Sequence, residues 1–333
     1  MRKNLLSLAL VLCLLTMGLG LDQGLFPTAR ATGAGSAATE QPLAEDETFS
    51  FLDLQHREFY FASGAGGWRT VMRIKADGSF AGVYSDSEMG SVGEGYPKGT
   101  YYLCEFEGVF TDPVQVNDYT YSVKIAELRC LKEPETTEII DEVLYHYSTP
   151  FGIDGAEELL IYLPGAPISE LPEEYMNWVR SAMVDWEATE LPFYGLYNAK
   201  EQNGFSSYDM LASLDEYLAA VQEQADLISA SLEKDPLTQA DLNQKSAELA
   251  ELWDLAMSAV WNMLEGSLTK EELAALTAEQ QNWSAAMEKA VEAAGAEVQG
   301  GSMYPLVVNS EAAGLTEERV FELYALLNGH ELP

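Results

Sequence analysis

Three histidines, three cysteines and an excess of carboxylates are the groups with which this 333-residue chain could do chemistry. Nucleophilic catalysis needs a base within reach of Ser, Cys or Thr, and a metal centre needs His, Cys or acidic residues grouped at ligand spacing. His56 and His146 instead fall in segments with strand patterning, and His330 stands close to the last residue, so each reads as a surface or core-edge side chain. No G-x-S-x-G, H-E-x-x-H or phosphate loop occurs, and SGAGG at 63–67 has neither a lysine nor a following helix. The acidic run at 84–95 offers Asp86, Glu88 and Glu94, but not in the order of a calcium loop, so no metal is assigned. Among 54 acidic residues no two are marked out as a glycosidase pair. The chain therefore reads as non-enzymatic, with no catalytic residue and no cofactor.

Cys13 lies in the apolar run LLSLALVLCLLTMGLGL behind Arg2 and Lys3, the pattern of a secretory signal. Ala29-Arg30-Ala31 offers a cleavage site, which makes 1–31 a signal peptide. An uncleaved signal is the alternative, and the one route by which membrane contact is expected. The exported chain keeps Cys104 and Cys130, a candidate disulfide. If Asn117-Asp118 is a tight turn, position 104 lies opposite 131 and the cysteines are one residue apart in register. A one-residue bulge then brings them to bonding distance in an oxidising compartment, whereas a turn at Asp112-Pro113 separates them.

The formal charge is −36, from 54 acidic and 18 basic residues. Such a surface repels nucleic acid and anionic lipid and draws basic partners, and it also keeps an exported protein soluble. With 47% apolar and 11% aromatic residues, most of the chain must fold.

Residues 32–48 read as a flexible tether. From 49 to 165 seven segments alternate apolar and polar residues: FLDLQHREFYFA, WRTVMRIK, SFAGVYS, GTYYLCEFEGVF, YTYSVKIAEL, EVLYHYS and ELLIYL. They predict an antiparallel β barrel or sandwich, with a barrel similar in outline to the lipocalins preferred. Residues 166–205 read as a helix, with Tyr175, Trp178, Val179, Ala182 and Trp186 on one face, and an aromatic connecting loop. In that loop Phe193, Tyr194 and Tyr197 are either a binding surface or a fastening between domains. Residues 206–333 have helical period, with Leu242, Leu249, Trp253, Ala256, Val260 and Leu264 recurring. Helix starts at Thr238, Thr269 and Thr316 predict an antiparallel bundle of 238–265, 270–295 and 316–328, with 208–233 packed beside it. The expected class is α+β in two domains.

One set of spacings carries more. It runs Thr238-Gln239 with Asn243, Trp253-Asp254, Trp261, then Leu276, Gln280 and Trp283, then Gly301, then Thr316 with Arg319. Across about 235–327 this pattern resembles the LprI-like lysozyme inhibitors. The resemblance implies an extracytoplasmic binding protein of the secreted or envelope class that occludes a basic protein such as a lysozyme, or a cell-wall component. Members of that family commonly carry disulfides in this region, where Ser246, Val291 and Ala312 or Ala313 stand here. The matched tryptophans read as bundle core, and Gln280 and Arg319 as residues that satisfy polar groups between helices. Two further readings are carriage of a small apolar ligand in the β domain and an envelope hydrolase using paired carboxylates.

Overall fold

The computed structural model describes residues 48–64, 67–232 and 237–328. The signal at 1–31, nearly all of the tether and His330 lie outside them. The described residues form two compact units: 48–213 with Glu265–Ala274, and Leu214–Leu264 with 275–328.

In the first unit all seven predicted strands are present: β1 (Arg57–Ala62), β2 (Trp68–Ile74), β3 (Ser79–Glu88), β4 (Thr100–Phe110), β6 (Thr120–Cys130), β8 (Val143–Tyr147) and β9 (Glu158–Tyr162). Four more join them: β5 (Val114–Asn117), β7 (Thr137–Ile140), β10 (Gly195–Asn198) and β11 (Asn203–Asp209). Eight strands close a ring in the order β6-β9-β10-β11-β1-β2-β3-β4, with β4 returning antiparallel onto β6. The barrel is thus the outcome, not the sandwich. The β7–β8 hairpin hangs from β4 through a parallel β4–β8 pairing, and β5 extends the β4 arm along β6.

Strands β10 and β11 correct the expectation that the aromatic segment before Gln202 is a loop. They show no alternation because both of their faces are covered, by the barrel interior on one side and by helix α1 (Glu173–Val179) on the other. Tyr175 of α1 is fully buried and donates its hydroxyl to the Phe205 carbonyl at 3.3 Å. A Cβ at Gly195 would stand 2.0 Å from that hydroxyl oxygen, and one at Gly204 2.8 Å from the ring. The glycines that obscure these strands in the sequence are what lets the tyrosine lie on them. Helix α1 is also shorter than predicted. It tightens into a 3₁₀ turn over Arg180–Ala182 and goes extended at Met183, which buries beside Tyr162 and Leu191, so Trp186 leaves the shared face and is exposed.

The barrel interior is occupied by Phe59, Phe61, Met72, Ile74, Phe80, Phe106, Leu159, Ile161, Leu196 and Phe205. Two glycines make room for rings: a Cβ at Gly82 would lie 2.4 Å from Phe106, and one at Gly108 would lie 2.3 Å from Phe80. Ligand carriage required an open cavity, and the space is filled by side chains instead.

The helices are α2 (Met210–Leu232), α3 (Gln239–Ser267), α4 (Lys270–Gly295) and α5 (Tyr304–Leu327). Helix α2 buries Leu214, Leu218, Val221, Ala225 and Ile228, a stripe three to four residues apart. The start predicted at Thr316 is wrong. Helix α5 begins at Tyr304, where Pro305 in the first turn sacrifices no hydrogen bond, and Gly314 does not break it. The turn between α3 and α4 belongs to the β unit. There Lys75 Nζ donates to the carbonyls of Glu265 and Leu268 at 3.0 and 2.6 Å, placing a cation where the helix dipole of α3 is negative.

If aromatic packing against missing side chains holds the barrel shut, Gly108→Val should lower urea stability by about 3 kcal/mol. Because the new Cβ also meets the Glu127 backbone carbonyl at 2.3 Å, Phe80→Ala should not restore the loss, and an unchanged urea midpoint in Gly108→Val would contradict the packing account.

Candidate functional site

The matched residues of the C-terminal half lie on α3, α4, α5 and the turn before α5, and they do different physical work. One of them, Thr238, sets a helix start. The Thr238 N–H donates to Asp241 Oδ2 at 2.9 Å while the Asp241 N–H reaches back to Thr238 Oγ1. Thr269 and Glu272 repeat the arrangement at α4. These bonds hold both carboxyls below their ordinary range, for Asp241 through the Thr238 hydroxyl first and for Glu272 through the Thr269 backbone, against the opposing effect of partial burial.

A second group ties the start of α3 to the turn before α5. Gln239 Nε2 donates to Asn243 Oδ1, and Asn243 Nδ2 donates to the Ser302 carbonyl, each at 2.9 Å. Gly300 adopts φ +77°, and the Gly301 N–H closes on the Val298 carbonyl at 3.0 Å. Ser246, at a position where the family resemblance implies a cysteine, is fully buried and accepts a hydrogen bond from Asn309 Nδ2 at 3.3 Å. A neutral polar contact between α3 and α5 thus occupies that place.

The third group is the core. Trp253 is fully buried, edge-on to Phe321 with centroids 5.8 Å apart. Arg319, only 3% exposed, has each guanidinium nitrogen engaged. Its Nε donates to Gln280 Oε1 at 2.9 Å, one terminal nitrogen to Glu279 at 2.9 Å and the other to Glu322 at 3.0 Å. The Trp283 ring lies 5.9 Å from the guanidinium carbon. Leu276 and Thr316 are also buried, and Trp261 is half-buried. The spacing pointed to Gln280 and Arg319; Glu279 and Glu322 were not legible, because glutamates on a helix read as solvated face.

Asp254 differs from its neighbours. It is exposed on α3, next to Glu251, and its carboxyl is raised above the ordinary range by desolvation first and by the Glu251 charge second, although it reaches solvent. Glu248, Glu251, Asp254 and Leu255 form an exposed stripe. Arg319 is buried and fully paired, so the described residues of this unit leave only Lys245 and Lys289 as surface cations against many carboxylates. Two grooves open on the same unit. One, of about 370 Å³, lies between α2 and α5 and is lined by Leu218, Phe321 and Tyr324, whose hydroxyl bonds Asp215. The other, of about 500 Å³, is lined by Leu232, Leu242, Leu306 and Val307.

The remaining candidates do not form a site. Phe193, Tyr194 and Tyr197 are each at most 6% exposed, in the β unit's own cores, which leaves no ring face for a partner or for joining two domains. His56 Nδ1 lies 2.9 Å from Ser267 Oγ, and His146 rests on Tyr102. No group of three metal-ligating side chains occurs among the described residues. Among the described carboxyls, Glu105 in the β unit and Asp254 in the helical unit are raised above their usual range, in each case by burial first. No described helix is long and apolar enough to cross a membrane.

A family model described as Lysozyme inhibitor LprI matches residues 231–323. That segment coincides with the one whose spacings carry the resemblance, and takes in α3, α4 and most of α5. No curated protein and no solved structure matches the chain significantly.

Replacing Arg319 with Ala would strand Gln280 Oε1 in the core and should cost about 3 kcal/mol in urea unfolding. Arg319→Met combined with Gln280→Leu removes both partners and should recover most of that loss. The helix starts impose a pH dependence of definite sign. Because the Glu272 pKa is lowered on folding, its contribution is complete above the ordinary 4.5 and is lost as pH falls through the folded value. Glu272→Gln should flatten that acid limb of the stability curve, and an unchanged slope would refute the capping role.

Proposed function

We propose that this chain is an exported, non-enzymatic protein whose helical unit binds a basic partner, a lysozyme in the first instance, and blocks it by occlusion. The match of 231–323 to the lysozyme-inhibitor family carries this reading. The charge supports it, since the carboxylates of the helical unit face solvent almost unopposed and would draw a basic enzyme. The placement of the matched residues sharpens it. Trp253, Gln280, Thr316 and Arg319 are buried, so they hold the helices together, and contact falls to exposed acidic faces. Asp254 is the matched residue that joins the two groups, and its stripe on α3 is the proposed contact.

The full chain without residues 1–31 should slow cell-wall lysis by a basic lysozyme, more strongly at low salt than at high salt. Reversing the stripe with Glu248→Lys, Glu251→Lys and Asp254→Lys should weaken inhibition at least tenfold, about 1.4 kcal/mol. The Arg319→Met, Gln280→Leu protein should inhibit like the parent. Unimpeded lysis at micromolar protein would sink the proposal, while inhibition insensitive to the reversal would move the contact elsewhere.

A further inference from the structure

We propose that Cys104 and Cys130 form a disulfide that fastens the seam at which the barrel closes. The two sulfurs lie 3.6 Å apart as free thiols. Their closeness follows from the register of β4 on β6. The hairpin turns at Asp118-Tyr119, with Asn117 facing Thr120, and register shifts between Gln115 and Asn117 and between Val109 and Phe110 together leave Phe106 opposite Cys130. The cysteines are therefore two residues apart in register, not the one expected, and that difference matters. Side chains alternate between faces, so an offset of one would put the sulfurs on opposite sides of the sheet, and an offset of two puts both inside.

Their position in the sheet gives the bond a purpose. Strand β4 pairs with β6 over Phe106–Phe110 and with β8 over Thr100–Leu103, so it changes partner at Cys104. The Leu131 N–H to Glu105 carbonyl bond, 2.8 Å, is the last on the β6 side of this fork. A covalent link here would stop the closing pair from parting at its open end, where hydrogen bonds fray first.

Cys104 is buried, and burial pushes its thiol well up, whereas Cys130 is half-buried. The Cys130 thiolate is the first nucleophile. It attacks a protein or small-molecule disulfide, releasing one thiolate and forming a mixed disulfide. Cys104 then loses its proton and attacks Cys130 Sγ, expelling the second thiol. Two electrons pass to the oxidant, and the two protons end on its sulfurs. Formation in the cell rests on the export reading above, since a cytosolic thiol pair stays reduced.

The test uses the full chain, reduced, equilibrated with oxidised and reduced glutathione, quenched in acid, alkylated and mapped by proteolysis and mass spectrometry. The expected product is a linked Cys104–Cys130 peptide pair two hydrogens lighter than the dithiol. Alkylated thiols or separate glutathione adducts at both positions would overturn it. Reductant should lower the Tm of the oxidised protein by several degrees and leave Cys104→Ala, Cys130→Ala unmoved. An unchanged parent Tm would overturn the fastening role even if the variant does not fold. Acid-trapped protein from producing cells should carry the bond. Recovery as dithiol, after closure in glutathione, would overturn the cellular proposal through its premise of export and would leave the inhibitor test to stand by itself.

Discussion

The requirement on which the β unit depends is that its sheet have no open edge at the ring. An exposed edge leaves backbone donors and acceptors unpaired and invites pairing with other chains. Here the antiparallel return of β4 onto β6 removes it, and that pairing is possible only because β10 and β11 span the gap between β9 and β1. The ring is small, so its interior has to be filled by side chains. Glycines at 82 and 108 let Phe106 and Phe80 occupy the middle, and glycines at 195 and 204 let Tyr175 cover the outside. Closure, filling and covering are therefore one constraint met with two kinds of residue, large rings and absent side chains.

The helical unit solves a different problem. A guanidinium taken out of water is costly unless each donor is met, and around Arg319 the carbonyl of Gln280 and the carboxylates of Glu279 and Glu322 meet them. Two of these partners, Gln280 and Glu279, stand on α4, so the cluster ties α5 to α4. Ser246, at a place where the family resemblance implies a cysteine, instead makes a polar contact with Asn309 between α3 and α5. Most of the matched residues, Trp253, Gln280, Thr316 and Arg319 among them, organise the interior, while Asp254 and its acidic neighbours on α3 face solvent.

Much of this was legible in the residues. Seven strands, four helices and two of the three expected helix starts follow from alternation, period and Thr-x-x-acid caps. The misses have physical causes. Strands β10 and β11 carry glycine and buried polar residues such as Asn198 and Ser206, so nothing in their composition says strand. Thr316 followed by Glu317 and Glu318 has the look of a first turn, yet these residues lie inside α5, a helix held by packing that also tolerates Gly314. The aromatics at 193–197 suggested a binding surface or a fastening between domains, and they are core instead, Tyr194 in the barrel and Phe193 and Tyr197 in the cluster around Tyr175 of α1.

What the sequence by itself determined is local: the period of each segment, the caps, the surplus of negative charge and the spacing shared with the lysozyme-inhibitor family. These depend on neighbours a few residues away, or on the sum of all charges. Which strand closes the ring, which glycine faces which ring, that Cys104 and Cys130 share a face, and that Arg319 is enclosed by carboxylates from two helices were decided only by the tertiary structure. Each is a meeting of residues distant in the chain, and its energy comes from desolvation and packing that exist only once both partners are in place.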